Sequence, residues 1–307
     1  MAHARRPASA PGVDSARPVV QQRFVTMRDG TRIGYQVAGD GPCIVLANGL
    51  GGTHVAYRAL FQAFRDYKLI CWDYRGLFSS MPPADPRANT VAHQVGDLVE
   101  ILAHEGIGDV VVVGWSMGVQ VALETLRHHG ARVKGMYAIN GTYGRTFSSV
   151  MGSQLVGRTI PMIVKLLRAQ AGLVGFGARR IAPSYALVAA MRRAGLVSRT
   201  VDVEHFRAVA GGFADVDWVI YSDLMARLDE HDAEAVLAAV DVPLTIVTGD
   251  QDRLIPASTS ERMHRAIAGS RLVVIEGGTH YTPVEFPDVI VDELGKLLDR
   301  VPGWQRR

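Results

Sequence analysis

Gly114-Trp115-Ser116-Met117-Gly118 follows the apolar run Val110 to Val113 and opens a helical pattern. In that pattern, Ser116 to His128, the residues Val119, Leu123 and Leu126 share one face. A serine at a tight strand-to-helix turn stands clear of both elements, where it can attack a carbonyl. Bulk at Gly114 or Gly118 would clash with the neighbouring strand and helix. The N-terminus of the helix offers the N–H of Met117 to a developing oxyanion. An ordinary helix N-cap serine has the same local look, so partners elsewhere in the chain must decide between the two.

A serine hydroxyl is a poor nucleophile until a base takes its proton, and that base must itself be oriented. Of the ten histidines, His280 is the strongest candidate. It follows the apolar run Arg271 to Ile275 and a Gly277-Gly278 turn, so a loop presents it. His128 and His129 end a helix, and His104 and His264 sit in helical surface patterns; His54 and His93 stay open. For the acid, Thr248-Gly249-Asp250-Gln251-Asp252 follows the run Pro243 to Thr248. At the level of spacing, Asp250 and Asp252 compete.

These residues need a scaffold. Phe24 to Gly39 carries Asp29-Gly30 between two alternating runs and predicts a β-hairpin. The runs Cys43 to Ala47, Lys68 to Asp73, Val110 to Val113, Gly135 to Ile139, Pro243 to Thr248 and Arg271 to Ile275 are continuous enough to be parallel strands covered on both faces. Helical patterns alternate with them, Thr90 to His104 among them. The prediction is an α/β fold with a mostly parallel central sheet flanked by helices. A long stretch between Ile139 and Pro243 breaks the rhythm and must hold structure of its own. Residues 142–235 are expected to form a helical cap, with breaks at Pro161, Gly172 to Gly177 and Pro183. Residues 21–141 and 236–307 form the core, and residues 1–20 an unstructured tail outside the fold.

With the elements in place, the chain resembles the α/β-hydrolase fold superfamily, in its capped, esterase- and lipase-like branch. The resemblance covers about residues 24–141 and 238–300. The family acid sits in G-x-x-D-x-x-x-P, here Gly249, Asp252 and Pro256, which favours Asp252 over Asp250. The family base sits in H-x-x-x-x-E-x-P, here His280, Glu285 and Pro287. The residue before the base is usually glycine, and here it is Thr279. The order Ser116, Asp252, His280 is the one this fold uses. In Asn48-Gly49-Leu50-Gly51-Gly52 relatives usually carry His-Gly, and the N–H of Leu50 becomes the second oxyanion donor beside that of Met117. Asn48 departs from the pattern, and its side chain is expected to hold the loop by hydrogen bonds. No Lys-Ser/Thr follows these glycines, which excludes a P-loop. Asp73-Tyr74-Arg75-Gly76 with Ser79 resembles a family turn of structural purpose, with Phe78 in place of its second glycine. Asn48, Gly49, Trp115 and Phe78 are expected to meet the substrate.

The resemblance implies hydrolysis of carboxylic esters with apolar acyl groups through an acyl-enzyme, with no metal or organic cofactor. The same triad would serve a C–C bond hydrolase, a perhydrolase or an acyltransferase. Epoxide hydrolases and dehalogenases of this fold normally use an aspartate nucleophile, so Ser116 argues against both. A hydrolase-like small-ligand receptor is the reading from another class, and repeated turnover separates it from an enzyme.

Composition bounds the partners. A net charge of +3 over 307 residues is weak for a nucleic-acid binder. Cys43 and Cys71, each inside an apolar run, predict buried thiols, which suits a cytoplasmic protein. No apolar run reaches the roughly 18 residues that span a bilayer. One asymmetry stands out. Residues 145–199 hold nine basic residues and no acidic one, a formal +9, whereas residues 201–240 hold nine acidic residues against Arg207 and Arg227, a formal −7. Either the two halves of the cap neutralise each other, or the basic, apolar half faces outward and meets anionic lipid.

Overall fold

The computed structural model describes residues 2–4, 19–144 and 154–304. Strand β1 (Ala2–Ala4) precedes the antiparallel hairpin β2 (Gln21–Thr26) and β3 (Arg32–Ala38). The hairpin turns at Asp29-Gly30, where Gly30 takes φ 83° and Asp29 accepts a hydrogen bond from the Thr31 N–H. Then follow β4 (Cys43–Ala47), α1 (Arg58–Ala63), β5 (Lys68–Trp72), α2 (Val91–His104), β6 (Val110–Trp115), α3 (Met117–His129) and β7 (Val133–Ile139). After the insertion come β8 (Leu244–Gly249) and β9 (Arg271–Ile275). The strand order is β1-β9-β8-β7-β6-β4-β5-β3-β2. All pairings are parallel except β5 with β3 and β3 with β2.

Alternation along the strands explains why the central runs are mostly apolar on both faces. Val45, Val112, Ala138 and Ile246 face one layer with Leu98 of α2 and Leu123 of α3. Ile44, Val111, Tyr137 and Val247 face the other with Leu60 of α1. Thr90 caps α2 by accepting from the His93 N–H. Cys43 and Cys71 are buried and unbridged.

Two expectations are corrected. The first twenty residues are not all outside the fold, because Ala2–Ala4 pairs in parallel with β9. Without that segment β9 would be an edge with unpaired backbone groups; residues 5–18 lie outside the described residues. The breaks foreseen in the insertion also differ. Among the described residues its main helices are α4 (Gln154–Ala169), α5 (Ala171–Ile181), α6 (Tyr185–Arg193), α7 (Val203–Gly211) and α8 (Trp218–Leu228). Pro161 lies inside α4, and Gly172 to Gly177 lie inside α5. Only Pro183 separates two helices, α5 and α6. Pro161 forfeits one backbone hydrogen bond, but α4 is amphipathic and packs along α8, so ending it there would expose the shared face. Gly175 lets α8 approach, since a Cβ there would lie 3.2 Å from Cδ1 of Trp218.

The last helices are α9 (Glu234–Leu237), α10 (Ala257–Ala266), α11 (Thr282–Glu285) and α12 (Pro287–Leu298). Helix α12 packs on the sheet face that holds α1. Among the described residues no single helix is long and apolar enough to cross a membrane. Helices α4 and α5 bend by 87° at their junction.

Candidate active site

Ser116 occupies the turn between β6 and α3 with φ 55° and ψ −115°. Such a conformation costs a non-glycine residue about 1–3 kcal/mol. It is held on both sides: the Ser116 N–H donates to the Ile139 carbonyl at 2.9 Å, and its carbonyl accepts from Val119 at 3.1 Å. The glycines around it are sterically required. A Cβ at Gly114 would lie 2.4 Å from the Gly118 carbonyl oxygen, and one at Gly118 would lie 2.0 Å from that of Ala47 on β4.

The loops after β8 and β9 bring their side chains to the same point. His280 Nε2 is 2.9 Å from Ser116 Oγ, and His280 Nδ1 is 2.8 Å from Asp252 Oδ2. Asp252 Oδ1 accepts from the N–H groups of Leu254 and Ile255 at 2.8 and 2.9 Å. Asp250 faces elsewhere and accepts from the Gly277 N–H at 2.7 Å, closing the loop that carries His280. Spacing left the two aspartates level; distance separates them.

Asn140 was not anticipated. It ends β7 in the left-handed region, φ 46°, and is fully buried. Its Nδ2 donates to Asp252 Oδ2 at 2.8 Å and to the Thr279 carbonyl at 3.2 Å, while its Oδ1 accepts from Thr282 Oγ. The available signal was an Asn-Gly pair just past a strand, since asparagine tolerates positive φ; nothing in the sequence says what its amide meets.

Glu285 ties the base loop to the cap. It accepts from the Thr279 N–H at 2.8 Å, the Thr279 hydroxyl at 2.7 Å and the Ser198 N–H at 2.7 Å. Burial pushes its carboxyl up, against the pull of those donors. Thr279, where relatives have glycine, also sets its hydroxyl 3.1 Å from the Leu196 carbonyl between α6 and α7. The departure is a side chain bridging core and cap.

Above Ser116 lies a cavity of about 280 Å³. The core contributes Gly49, Leu50 and Trp115, and the cap contributes Ile160, Val209, Phe213, Tyr221, Met225 and Leu228. Among the described residues no Asp, Glu, Lys or Arg lines it. Leu50 stands in a turn closed by the Gly52 N–H on the Gly49 carbonyl at 2.8 Å. The N–H of Met117 is at the first position of α3, beyond reach of an intrahelical acceptor. Trp115 lines the cavity and also donates its Nε1–H to the His280 carbonyl at 2.9 Å.

Two residues expected at the substrate are elsewhere. Asn48 is buried under the loop: its Nδ2 donates to the Trp72 carbonyl at 3.0 Å, and its own carbonyl accepts from the Tyr74 hydroxyl at 2.7 Å. It shapes the loop from behind because the chain turns only at Gly49. Phe78 takes φ 51°, the conformation a glycine would use, and its ring packs into the core near Gly212 rather than lining the cavity. Burial of the ring offsets the backbone cost. Arg75 of the same turn is buried against Asp97, with its Nη2 2.6 Å from Oδ1, as a structural role requires. His54 packs edge-on to Phe61, and His93 Nδ1 is 2.8 Å from Thr90 Oγ; neither lines the cavity. Among the described residues no cluster of three or more His, Cys, Asp or Glu is placed to hold a metal ion.

Comparison with known proteins agrees with this architecture. A non-heme haloperoxidase of Rhodococcus erythropolis is 29% identical over 274 residues, covering 84% of this chain and 92% of that protein. An esterase of Exiguobacterium antarcticum superposes with a TM-score of 0.73 at 20% identity, covering 89% of this chain and 98% of that one. An enol-lactonase of Burkholderia xenovorans does so with a TM-score of 0.71 at 20% identity, covering 90% and 100%. The model of the alpha/beta hydrolase family matches residues 44–293, most of the chain, and the chain belongs to that family.

Proposed function

We propose that the protein is a serine-dependent hydrolase of carboxylic esters with apolar acyl groups. One observation carries the reading: an unbroken hydrogen-bonded chain, Ser116 Oγ to His280 to Asp252, with links of 2.9 and 2.8 Å, on the floor of an apolar cavity. His280 Nε2 takes the Ser116 proton as Oγ attacks the ester carbonyl. Asp252, kept in place by two backbone N–H groups and by Asn140, holds the proton on Nδ1 and stabilises the imidazolium. The N–H groups of Leu50 and Met117 receive the oxyanion; one such donor is worth roughly 10²–10³ in rate. His280 then gives its proton to the leaving alkoxide. The acyl-serine is opened by water, which loses a proton to His280, releasing the acid and restoring the Ser116 hydroxyl.

The haloperoxidase relative favours a second reading at the same site, in which hydrogen peroxide instead of water opens the acyl-serine and releases a peracid. The outer, basic and apolar half of the cap is the surface a peripheral contact with anionic lipid would use.

The test is repeated turnover of p-nitrophenyl butyrate with covalent labelling by a fluorophosphonate. Ser116→Ala is expected to lose both while keeping its thermal unfolding transition. Labelling that persists in the variant moves the nucleophile elsewhere, and a single reaction per molecule favours a receptor. Added peroxide that diverts the product to peracid selects the second reading.

A further inference from the structure

A second cavity lies within the cap. Its volume is about 400 Å³, larger than the 280 Å³ of the cavity over Ser116. Ala178 of α5, Leu187 of α6 and Phe206 of α7 are among the residues around it, and among the described residues nothing charged lines it. The two cavities share Val209, Phe213 and Tyr281 in their linings, so they adjoin. Tyr281 is the residue after the base, and Phe206 holds it edge-on with ring centres 5.0 Å apart. Among the described residues Tyr281 and Trp218 bring the only polar side-chain atoms in the lining. A chamber with so little to bind a polar head suits a hydrocarbon chain.

We propose that this chamber is an acyl-chain subsite: the ester sits at Ser116, and the distal part of a long, unbranched acyl tail passes Val209, Phe213 and Tyr281 into the cap. This rests on the ester reading and adds a preference for tails longer than the cavity over Ser116 alone would hold. The tail gains by leaving water, and each methylene buried in an apolar site multiplies kcat/KM by up to about fourfold. Selectivity for length therefore resides in α5 to α7, away from the reacting atoms.

The experiment measures kcat/KM for p-nitrophenyl esters from acetate to dodecanoate in the wild type and in two variants that fill the chamber. Ala178→Phe adds a ring at the lining, and Gly177→Leu adds bulk where a Cβ meets nothing within 4 Å. The wild type should rise with chain length beyond butanoate. Either variant should lower the dodecanoate-to-acetate ratio at least tenfold. A wild-type series that stops rising at butanoate, or a ratio unmoved in folded variants, overturns the subsite. A separate readout needs no chemistry: binding of decan-1-ol to Ser116→Ala, followed by the fluorescence of Trp218, with Trp218→Phe as control. If no ester of any length is turned over, saturable decanol binding that Ala178→Phe weakens sinks the ester reading and keeps the chamber. Absence of saturable binding sinks the chamber as well.

Discussion

The floor of the site and the cap above it are built on different physics. On the floor, Ser116, His280, Asp252, Asn140 and Thr282 form one hydrogen-bonded chain whose members sit just beyond β6, β7, β8 and β9. Directional bonds among buried groups tolerate little displacement. The cap meets the floor mostly through apolar side chains, whose attraction is non-directional and follows area. Its polar ties to the core stand beside the reacting groups, such as His205 Nε2 on the Val55 carbonyl at 2.7 Å, Arg253 Nη1 on the Ala194 carbonyl at 2.9 Å and the Ser198 N–H on Glu285 at 2.7 Å. One region can therefore hold a reaction fixed while the other varies in shape. Reaction type should follow the floor, and substrate selection the cap.

The sharpest way to break that division is at the acid. Asp252→Asn should lower kcat by about 10⁴, the cost of the wrong histidine tautomer in a comparable triad. Asp250→Asn, whose carboxylate accepts from the Gly277 N–H and not from His280, should cost little. Equal losses from steady-state kinetics would assign the acid wrongly. A smaller effect is expected at Asn140→Ala, which takes one charge-assisted donor from Asp252. That donor is worth about 1.5–3 kcal/mol, or roughly 10- to 150-fold in kcat/KM if it acts wholly on the transition state. The loss should be similar for acetate and long-chain esters, because the floor does not read the tail; a loss confined to long esters would erase the contrast.

Glu285 joins the two regions, and its effect is read in stability. Burial raises its carboxyl above the unfolded value, so the folded state holds the proton more tightly. Its contribution is fully present below the unfolded carboxylate range of about 4.3 and is lost as pH rises through the folded value. Wild type should thus gain stability relative to Glu285→Gln as pH is lowered from neutral, by thermal melts. A gain in the opposite direction would mean that the donors around Glu285 outweigh burial.

The smallest effect concerns the outer cap. Met162, Ile163, Leu166, Leu173 and Phe176 are exposed on α4 and α5, with Arg180 over the Phe176 ring. Among the described residues Arg168 pairs with Asp223 at 2.6 Å, crossing from the basic to the acidic half. If the basic half contacts anionic lipid, co-sedimentation with phosphatidylglycerol vesicles should exceed that with phosphatidylcholine and fade as salt rises, at about 1 kcal/mol per engaged cation. Met162→Asp with Leu166→Asp should weaken it. Equal binding to both vesicles leaves the cap as a cover over the floor alone.

Much of the floor was legible in the order of residues because its signals are local. Parallel strands buried on both faces must be apolar where they are covered, as Cys43–Ala47 and residues 272–275 are. A serine in a strained turn needs small neighbours at fixed spacing, and Gly114 and Gly118 announce them. Histidine and aspartate beyond strand ends are likewise visible. What tertiary structure alone decided is where side chains separated by many residues point. Spacing left Asp250 and Asp252 level and the family pattern favoured Asp252, but only the folded loop shows its carboxylate 2.8 Å from His280. Asn140 serves the acid because β7 lies beside β8. Asn48 and Phe78 do not line the cavity over Ser116, because Asn48 bonds the Trp72 carbonyl and Phe78 packs against the core and Gly212. The cap was legible as helical and charge-divided, but its chamber was not. A cavity belongs to no run of residues; it is the space left where α5, α6, α7 and α8 fail to fill the volume between them, and only packing in three dimensions sets that volume.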